Sequence, residues 1–332
     1  MNERFKVVIP DFINDELGPE TEILGNIADL VACDAYHEDE LVGRIEDANA
    51  IMLYHNLSIT RKTIEKLQDC KLIVRCGVGF DNVDRLYARE RGIPVANIPD
   101  YGSEEVADSA IGMALTLTRG VHTLNSMLQT DPQKPWMYTH VVPQTRLRGQ
   151  VFGIVGLGRI GTAAAVRAKA LGMDVVFYDP YKEDGYDKAV GVRRVESLRE
   201  LFEQSYILSL HCPLNDESRH IVNSKTIDWL PMGSYLVNTA RGAVVDTDII
   251  PDAIASGRLA GAGIDVLEEE PPSPENPIIA AWRDPTHPAY HRVIVNPHSA
   301  FYAEEGLMDM RVKGANAIRR ALTGQPLRNI VN

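Results

Sequence analysis

The sequence predicts an α/β protein made of two doubly wound parallel-sheet units, and three observations lead there. Short apolar runs alternate with helix-patterned segments along the whole chain. The stretch Val151–Asp179, VFGIVGLGRIGTAAAVRAKALGMDVVFYD, holds a complete strand–turn–helix–strand unit. A full set of strand and helix patterns precedes it, and 332 residues are enough for two domains with their own cores.

In the first hundred residues strands are expected at Lys6–Ile9, near Leu30–Cys33, and at Ala50–Tyr54, Leu72–Val74 and Val95–Ala96. Helices are expected at Glu20–Ile27, Glu38–Ile45, Thr60–Leu67 and Val83–Arg89. Ser103 then reads as the cap of a long helix, with Glu104 and Glu105 suited to the positive end of its dipole. Val106, Ala110, Met113, Leu117 and Val121 would give that helix one apolar face. Gln129–Arg148, Pro-rich and carrying Trp136 and Tyr138, reads as an irregular arm that covers a neighbour.

A helix is predicted from Arg159 to Leu171 and a strand at Val175–Tyr178, with later strands at Tyr206–Leu210, Tyr235–Val237, Gly263–Val266 and Val293–Val295. Pro251 cannot sit inside a helix without cost, so the helix there should begin near Ile249. The last helix, Glu304–Leu322, stops at Thr323-Gly324 with Pro326 beyond.

Composition narrows the function. Apolar residues make up 45% and charged residues 24%, as in ordinary globular proteins. With 34 basic against 46 acidic residues the formal net charge is −12, and no run of five or more Lys/Arg occurs. That field repels nucleic acid and anionic membranes. Cys33, Cys70, Cys76 and Cys212 form no C-x-x-C pair, so neither zinc nor redox chemistry is expected of them. MNERF leads straight into VVIP without a signal peptide, and no apolar stretch approaches the ~18 residues of a membrane span, so the expected compartment is the cytoplasm.

The chemistry begins at Gly156-x-Gly158-x-x-Gly161, which follows a strand and opens a helix. Its glycines allow a tight turn and close approach of a pyrophosphate to free amides at the helix N-terminus. Asp179, eighteen residues past the third glycine, stands where an acid can hydrogen-bond a ribose diol. A dinucleotide is therefore the expected ligand.

Ligands of doubly wound sheets bind beyond the C-terminal ends of the strands. His211, Arg241, Glu268–Glu270 and His298 all follow strand-like runs. Hydride transfer to an oxo acid requires a cation for the carboxylate, an acid for the C2 oxygen, and a carboxylate beside that acid. Arg241, one of the three Glu and one His supply these, and position alone leaves both the Glu and the choice of His211 or His298 open. His287 and His291 suggest a metal, but Pro288 breaks the local helix and no third ligand is evident, so none is expected.

The motifs RCGVGFDNVD (Arg75–Asp84), EEVAD (Glu104–Asp108), LRGQVFGIVGLGRIG, HCPLNDESRHIVN, LVNTARGAVVD, GAGIDVLEEEP and NPHSAFY make the chain resemble the NAD-dependent D-isomer-specific 2-hydroxyacid dehydrogenases over nearly its whole length. The resemblance implies a Rossmann NAD domain, residues 102–298, inserted into a flavodoxin-like substrate domain, 1–101 plus 299–332, with an interdomain cleft and a homodimer built through the NAD domain. It implies catalytic roles for Arg241 as carboxylate binder, Glu270 as partner of the His, and His298 as proton donor. His55, Arg75, Val78, Gly79 and Phe301 would meet the substrate. Gly156, Gly158, Arg159, Ile160, Gly161, Asp179, His211, Cys212, Pro213, Thr239, Ala240, Arg241, Asp265 and His298 would meet NAD, with Asp179 disfavouring a 2′-phosphate.

Within the family, MLYHN (Met52–Asn56), FYDPYKEDG (Phe177–Gly185), LHCPLN and HSAFYAEE resemble the C-terminal-binding-protein branch of NAD-sensing corepressors. Those proteins carry Trp where this chain has Phe301, and a long disordered tail where this sequence stops at Asn332. The expected activity is interconversion of a 2-oxo acid and a D-2-hydroxy acid; the alternative is an NAD(H)-gated, peptide-binding corepressor-like protein.

Overall fold

The structure, a computed structural model, describes residues 4–133 and 136–332 and divides into two units, 1–102 with 303–332 and 103–302. Met1–Glu3 of the N-terminal stretch, and Lys134 and Pro135 of the arm, lie outside the described residues.

The first unit opens with β1 (Phe5–Ile9), α1 (Gly18–Leu24), β2 (Ala28–Ala32), β3 (Ala50–Leu53), α2 (Arg61–Ile64), β4 (Leu72–Arg75), α3 (Arg85–Glu90) and β5 (Val95–Asn97). Its strands pair in parallel in the order β2-β1-β3-β4-β5, a flavodoxin-like arrangement. Val8, Ile51, Leu53, Ile73 and Val95 are fully buried, and β3, AIML, is an unbroken apolar run rather than an alternating one. Two expected helices are shorter than predicted. Glu38–Ile45 is a single 3-10 turn, Glu38–Leu41, closed at its start by Glu40 accepting from the His37 amide. Thr60 lies outside α2 as its cap, accepting from the Lys62 amide.

The second unit runs through α4 (Ser103–Thr118), α5 (Val121–Thr130), β6 (Val151–Val155), α6 (Arg159–Ala170), β7 (Asp174–Tyr178), α7 (Tyr186–Val190), β8 (Arg193–Arg194), α8 (Leu198–Gln204), β9 (Ile207–Leu210), β10 (Ser234–Asn238), α9 (Ile250–Ala255), β11 (Leu259–Ile264), α10 (Pro277–Arg283) and β12 (Val293–Val295). Its sheet is parallel in the order β12-β11-β10-β9-β6-β7-β8, so the order in which strands are added reverses between β6 and β9, as in a Rossmann fold. Met113, Leu117, Ala165 and Ala168 of α4 and α6 pack with Phe152, Ile154 and Phe177 on one face. Leu201, Phe202, Ile250, Ile254 and Ile278 of α8, α9 and α10 join the core on the other. Both faces are covered, as the α/β reading required.

Three expectations are corrected here. Ser103 is the first residue of α4 rather than its cap, and its buried hydroxyl has no hydrogen-bond partner. The apolar stripe does not continue to Val121: Gly120, at φ 61°, ends the run, and Val121 opens α5 exposed to solvent. The strand placed at Gly263–Val266 begins four residues earlier, because β11 is built from small residues. A Cβ at Gly261 would approach Leu117 to 3.0 Å and one at Gly263 would approach Met113 to 3.0 Å, so α4 packs directly on bare backbone. Pro251 falls in the first turn of α9, where it removes no helix hydrogen bond.

The chain then returns to the first unit as α11 (Glu304–Leu322). Arg311 of α11 donates to buried Glu20 of α1 at 2.6 and 2.7 Å and to Asp15 at 2.6 and 2.9 Å. The terminal residues follow β5, with Val331 N donating to Val95 O.

Candidate active site

The glycine turn follows β6. Gly156 has φ 88°, a conformation L side chains rarely adopt, and an added Cβ would meet the Cys212 backbone at 2.9 Å. At Gly161 a Cβ would sit 2.2 Å from Gly156 O, so α6 can start this close to the turn only with glycine there. Nothing lies within 4 Å of a Cβ built on Gly158, and no side chain caps α6. The helix therefore presents its first amides outward, at Arg159 and Ile160, in the form an anion requires.

Asp179 follows β7 and is buried. Its Oδ2 accepts from Leu157 N at 2.9 Å and its Oδ1 from Tyr181 N at 3.0 Å. The acid thus holds the glycine turn and keeps further lone pairs for a ligand hydroxyl. On the other side of the reversal, His211 and Cys212 follow β9, with His211 N bonded to Val155 O. Two polar atoms at this edge are buried without partners: Thr239 Oγ1 after β10 and His211 Nδ1. Orphaned groups beside an open glycine turn fit a bound dinucleotide. Burial pushes the Cys212 thiol up to about 12, which disfavours its nucleophilic thiolate form.

The catalytic candidates follow the three strands at the far side of the sheet. Arg241 comes after β10, Glu270 after β11 and His298 after β12, and these strands are sheet neighbours. Asn238 fixes the Arg241 turn, its Nδ2 donating to Arg241 O at 2.9 Å and its Oδ1 accepting from Ala240 N at 3.0 Å. Gly242 lies against the Leu267–Glu268 backbone, where an added Cβ would be 1.9 Å from Leu267 C. The turn bearing Arg241 and the turn bearing Glu270 are thus in backbone contact.

Glu270 accepts from Leu267 N at 2.8 Å and holds His298 Nδ1 at 2.7 Å. His298 sits at φ 52°, an uncommon conformation for a residue with a Cβ, and its amide donates to Asp265 O. The Asp265 carboxylate accepts from Ser299 N at 3.0 Å and Ala300 N at 3.1 Å, fastening the turn from below. Burial raises the Asp265 pKa, and those amides and His298 oppose the rise. The Phe301 ring stands edge-on to His298 at 6.3 Å.

The structure separates the three acids of the LEEEP run. Glu270 faces His298, Glu268 turns to Arg219 and His220, and Glu269 is exposed. It also separates the two histidines. His211 is bound to Ser209 Oγ through Nε2 at 2.9 Å, and burial lowers its pKa to about 4. Burial thus disfavours the charged form that a cationic proton donor requires.

The first unit carries its own candidates at the C-terminal edge of its sheet. Asp11, after β1, accepts from Tyr54 N and Asn56 N, both at 2.8 Å, and so pins the turn that presents His55. His55 packs on Phe12 at 4.6 Å. Burial raises the Asp11 pKa, opposed by those amides and by Arg75. Arg75, the last residue of β4, is buried and folds back over Gly77, where a Cβ would meet its Nη1 at 1.4 Å. Val78 follows in the same loop, its carbonyl accepting from Asn97 Nδ2 at 2.7 Å, and Gly79 is next to it, half-buried. Asp11 and Asn238, together with the anchoring of the His298 turn by Asp265, were not expected from the sequence. Their only sequence signal is an Asp or Asn at the end of an apolar run.

Residues 111–300, more than half of the chain, match the family model described as D-isomer specific 2-hydroxyacid dehydrogenase, NAD binding domain. The chain belongs to the D-isomer-specific 2-hydroxyacid dehydrogenase family. Its second unit is that family's NAD-binding domain, and the glycine turn and Asp179 described above lie within the matched residues. C-terminal-binding protein 1 of Caenorhabditis elegans is 33% identical over 313 residues, covering 92% of this chain and 42% of that protein. D-3-phosphoglycerate dehydrogenase of Methanocaldococcus jannaschii is 31% identical over 327 residues, covering 98% of this chain and 59% of the relative. The chain therefore spans about half the length of these relatives, and it stands near the C-terminal-binding-protein branch. Among solved structures, D-lactate dehydrogenase from Aquifex aeolicus, complexed with NAD and lactic acid, is similar with a TM-score of 0.86 at 27% identity, each chain covered to 96%.

Among the described residues no group of three or more His, Cys, Asp or Glu could hold a metal, and no helix is long and apolar enough to cross a membrane.

Proposed function

We propose that this family member is an NAD-dependent oxidoreductase interconverting a 2-oxo acid and the D-2-hydroxy acid. The observation that carries the reading is the Glu270–His298 pair at 2.7 Å, on the turn next to Arg241, at the ligand-binding edge of an NAD-binding sheet. When bound, NADH supplies the hydride that reduces C2 of the oxo acid.

Arg241 offers a guanidinium fork to the substrate carboxylate. Protonated His298 gives its proton to the C2 oxygen as negative charge develops there, and takes it back in the oxidative direction. Glu270, bonded to Nδ1, fixes the ring so that Nε2 is the reacting atom. Asp179 selects NAD, because a 2′-phosphate would face its carboxylate. We assign further substrate contacts to His55, Arg75, the amides of Val78 and Gly79, and Phe301, and further cofactor contacts to His211, Cys212, Pro213, Thr239, Ala240 and Asp265. Phe301 would shape the wall beside His298, where the corepressors have Trp.

A panel of 2-oxo acids, from glyoxylate and hydroxypyruvate to branched and aromatic ones, followed by NADH absorbance, tests the activity. His298→Ala should lower turnover at least about a hundredfold, the size of an acid–base contribution, with NADH binding retained. Full turnover in that variant removes His298 from the mechanism.

The likeness to C-terminal-binding protein 1 supports a second reading, an NAD(H)-gated binding protein with vestigial catalysis. Failure of every oxo acid in the panel would favour it. We also propose a homodimer in the cytoplasm, assembled through the NAD-binding domain. The arm after α5 exposes Trp136 at 82% and Tyr138 at 72%, apolar surface that a second copy could cover. Sizing across a range of concentrations tests the dimer.

A further inference from the structure

Three surface side chains that the proposed chemistry leaves unused meet beside the catalytic turn. Arg219 Nη1 donates to Glu268 Oε1 at 2.8 Å, and His220 Nε2 lies 3.0 Å from Glu268 Oε2. Both oxygens of one carboxylate are held by consecutive residues of another segment. Glu268 stands two positions before Glu270, in the turn whose Leu267 amide bonds Glu270.

The segment carrying Arg219 and His220 is itself tied to the Arg241 turn. His220 N donates to Ala243 O at 2.8 Å, Val222 N to Val244 O at 3.3 Å, and Asp246 N to Val222 O at 2.9 Å. At its near end Asn223 Nδ2 donates to His220 O at 2.8 Å. His220 itself has φ 49°, an uncommon conformation for a residue with a Cβ. One short stretch is therefore joined through its backbone to the turn of Arg241 and through its side chains to the turn of Glu270. Exposed ion pairs contribute little to global stability, so the use of this arrangement lies in geometry.

We propose that Arg219, His220 and Glu268 form a clamp of positioning residues that holds the Glu270 turn against the Arg241 turn and so sets the Glu270–His298 contact without touching substrate. The inference rests on the dehydrogenase reading for its catalytic consequence, but the clamp can be read without turnover.

The sign of one effect separates the clamp from a plain field effect. Charged groups around His298 in this unit include Glu270 at Nδ1, Asp265 beneath its turn and Arg241 on the adjoining turn, with Glu268, Arg219 and His220 beyond the Glu270 turn. Removing the Arg219 cation acts through the field to favour the His298 imidazolium. Loosening the Glu270 turn acts the other way, because the carboxylate at Nδ1 is held less closely. The Arg219→Met/His220→Gln variant, loaded with NADH, is compared with wild type in two ways. One is the alkaline limb of kcat/KM for oxo-acid reduction. The other is the His298 Cε1–H titration by NMR, its signal assigned from its absence in His298→Asn.

The clamp predicts that both midpoints move down by about 0.5 pH unit or more, a threefold change in proton equilibrium. The limiting rate at low pH should be retained, and Arg219→Lys should keep most of the wild-type midpoint. An unchanged or upward midpoint overturns the proposal. A downward NMR midpoint in a protein that reduces no oxo acid sustains the clamp and sinks the dehydrogenase reading; normal turnover with an unmoved midpoint does the reverse. Should the double variant fold poorly, Arg219→Met alone, at an exposed position, carries the same sign test.

Discussion

Replacing Gly242 by Ala adds one carbon at the point where the turns of Arg241 and Glu270 touch. The new Cβ would lie 1.9 Å from Leu267 C, 2.1 Å from Leu267 O and 2.3 Å from Glu268 N. Ordinary contact begins at about 3.4 Å, so the two backbones must separate by roughly 3.4 − 1.9 = 1.5 Å. All three neighbours are backbone atoms, and no side-chain rotation can relieve them. The Leu267 N–Glu270 bond of 2.8 Å lies in the displaced turn, as does the start of the chain leading to the 2.7 Å Glu270–His298 contact. Misplacing reacting groups by about 1 Å costs on the order of a hundredfold in rate, or ~2.7 kcal/mol of transition-state stabilisation. We expect kcat/KM for oxo-acid reduction to fall at least that far. NADH affinity, measured by fluorescence titration, should change less than about tenfold, because the glycine turn and Asp179 belong to β6 and β7. A Gly242→Ala enzyme within threefold of wild type would refute the claim that this contact sets the catalytic geometry.

Gly161→Ala should do the opposite: its Cβ would press on Gly156 O at 2.2 Å and push α6 away from the turn, weakening NADH by more than about tenfold in the same titration. Arg311→Met leaves Glu20, fully buried, without its cation, and should lower the unfolding free energy by about 3 kcal/mol or more in urea denaturation. Adding Glu20→Gln should recover much of that loss, since the pair is then removed whole. The hydrogen bond from Arg311 holds the Asp15 pKa below its ordinary value, so its share of stability is present above about pH 4 and is lost as pH falls further. Arg311→Met should accordingly show a smaller drop in unfolding temperature between pH 5 and pH 3 than the wild type does.

Strand positions were legible because buried parallel strands are mostly apolar, and β1, β3, β4, β9 and β10 announce themselves by their Val, Ile and Leu content. Element ends were less legible, and for identifiable reasons. β11 is written largely in Ala and Gly because α4 packs onto its backbone, so between Leu259 and Ile264 it lacks the bulky residues that mark a strand. β8 is a two-residue edge, Arg193–Arg194, whose side chains point to Gln204, Asp184 and Glu196 rather than to a core. α4 ends where Gly120 adopts a left-handed conformation, a choice that the apolar period of the flanking residues cannot register.

The same distinction runs through the site. Chemistry written in residue type, such as the three glycines or an Arg after a strand, could be read directly, because few side chains serve those roles. The choice among Glu268, Glu269 and Glu270 could not be made from the local run, since three adjacent carboxylates differ only in where the turn aims them. That aim is set at a distance: Leu267 N draws Glu270 inward, Arg219 and His220 draw Glu268 outward, and Gly242 leaves the turn no room to exchange them. His211 lost its claim for a similar reason, through burial and a hydrogen bond to Ser209 that its own sequence neighbours do not foretell. A turn that must point one acid at an imidazole and the next-but-one at a surface cation is specified by its contacts. The inversion is testable in that form: Glu268 and Glu270 should prove non-interchangeable, and Glu270→Gln should not be rescued by the carboxylate two residues away.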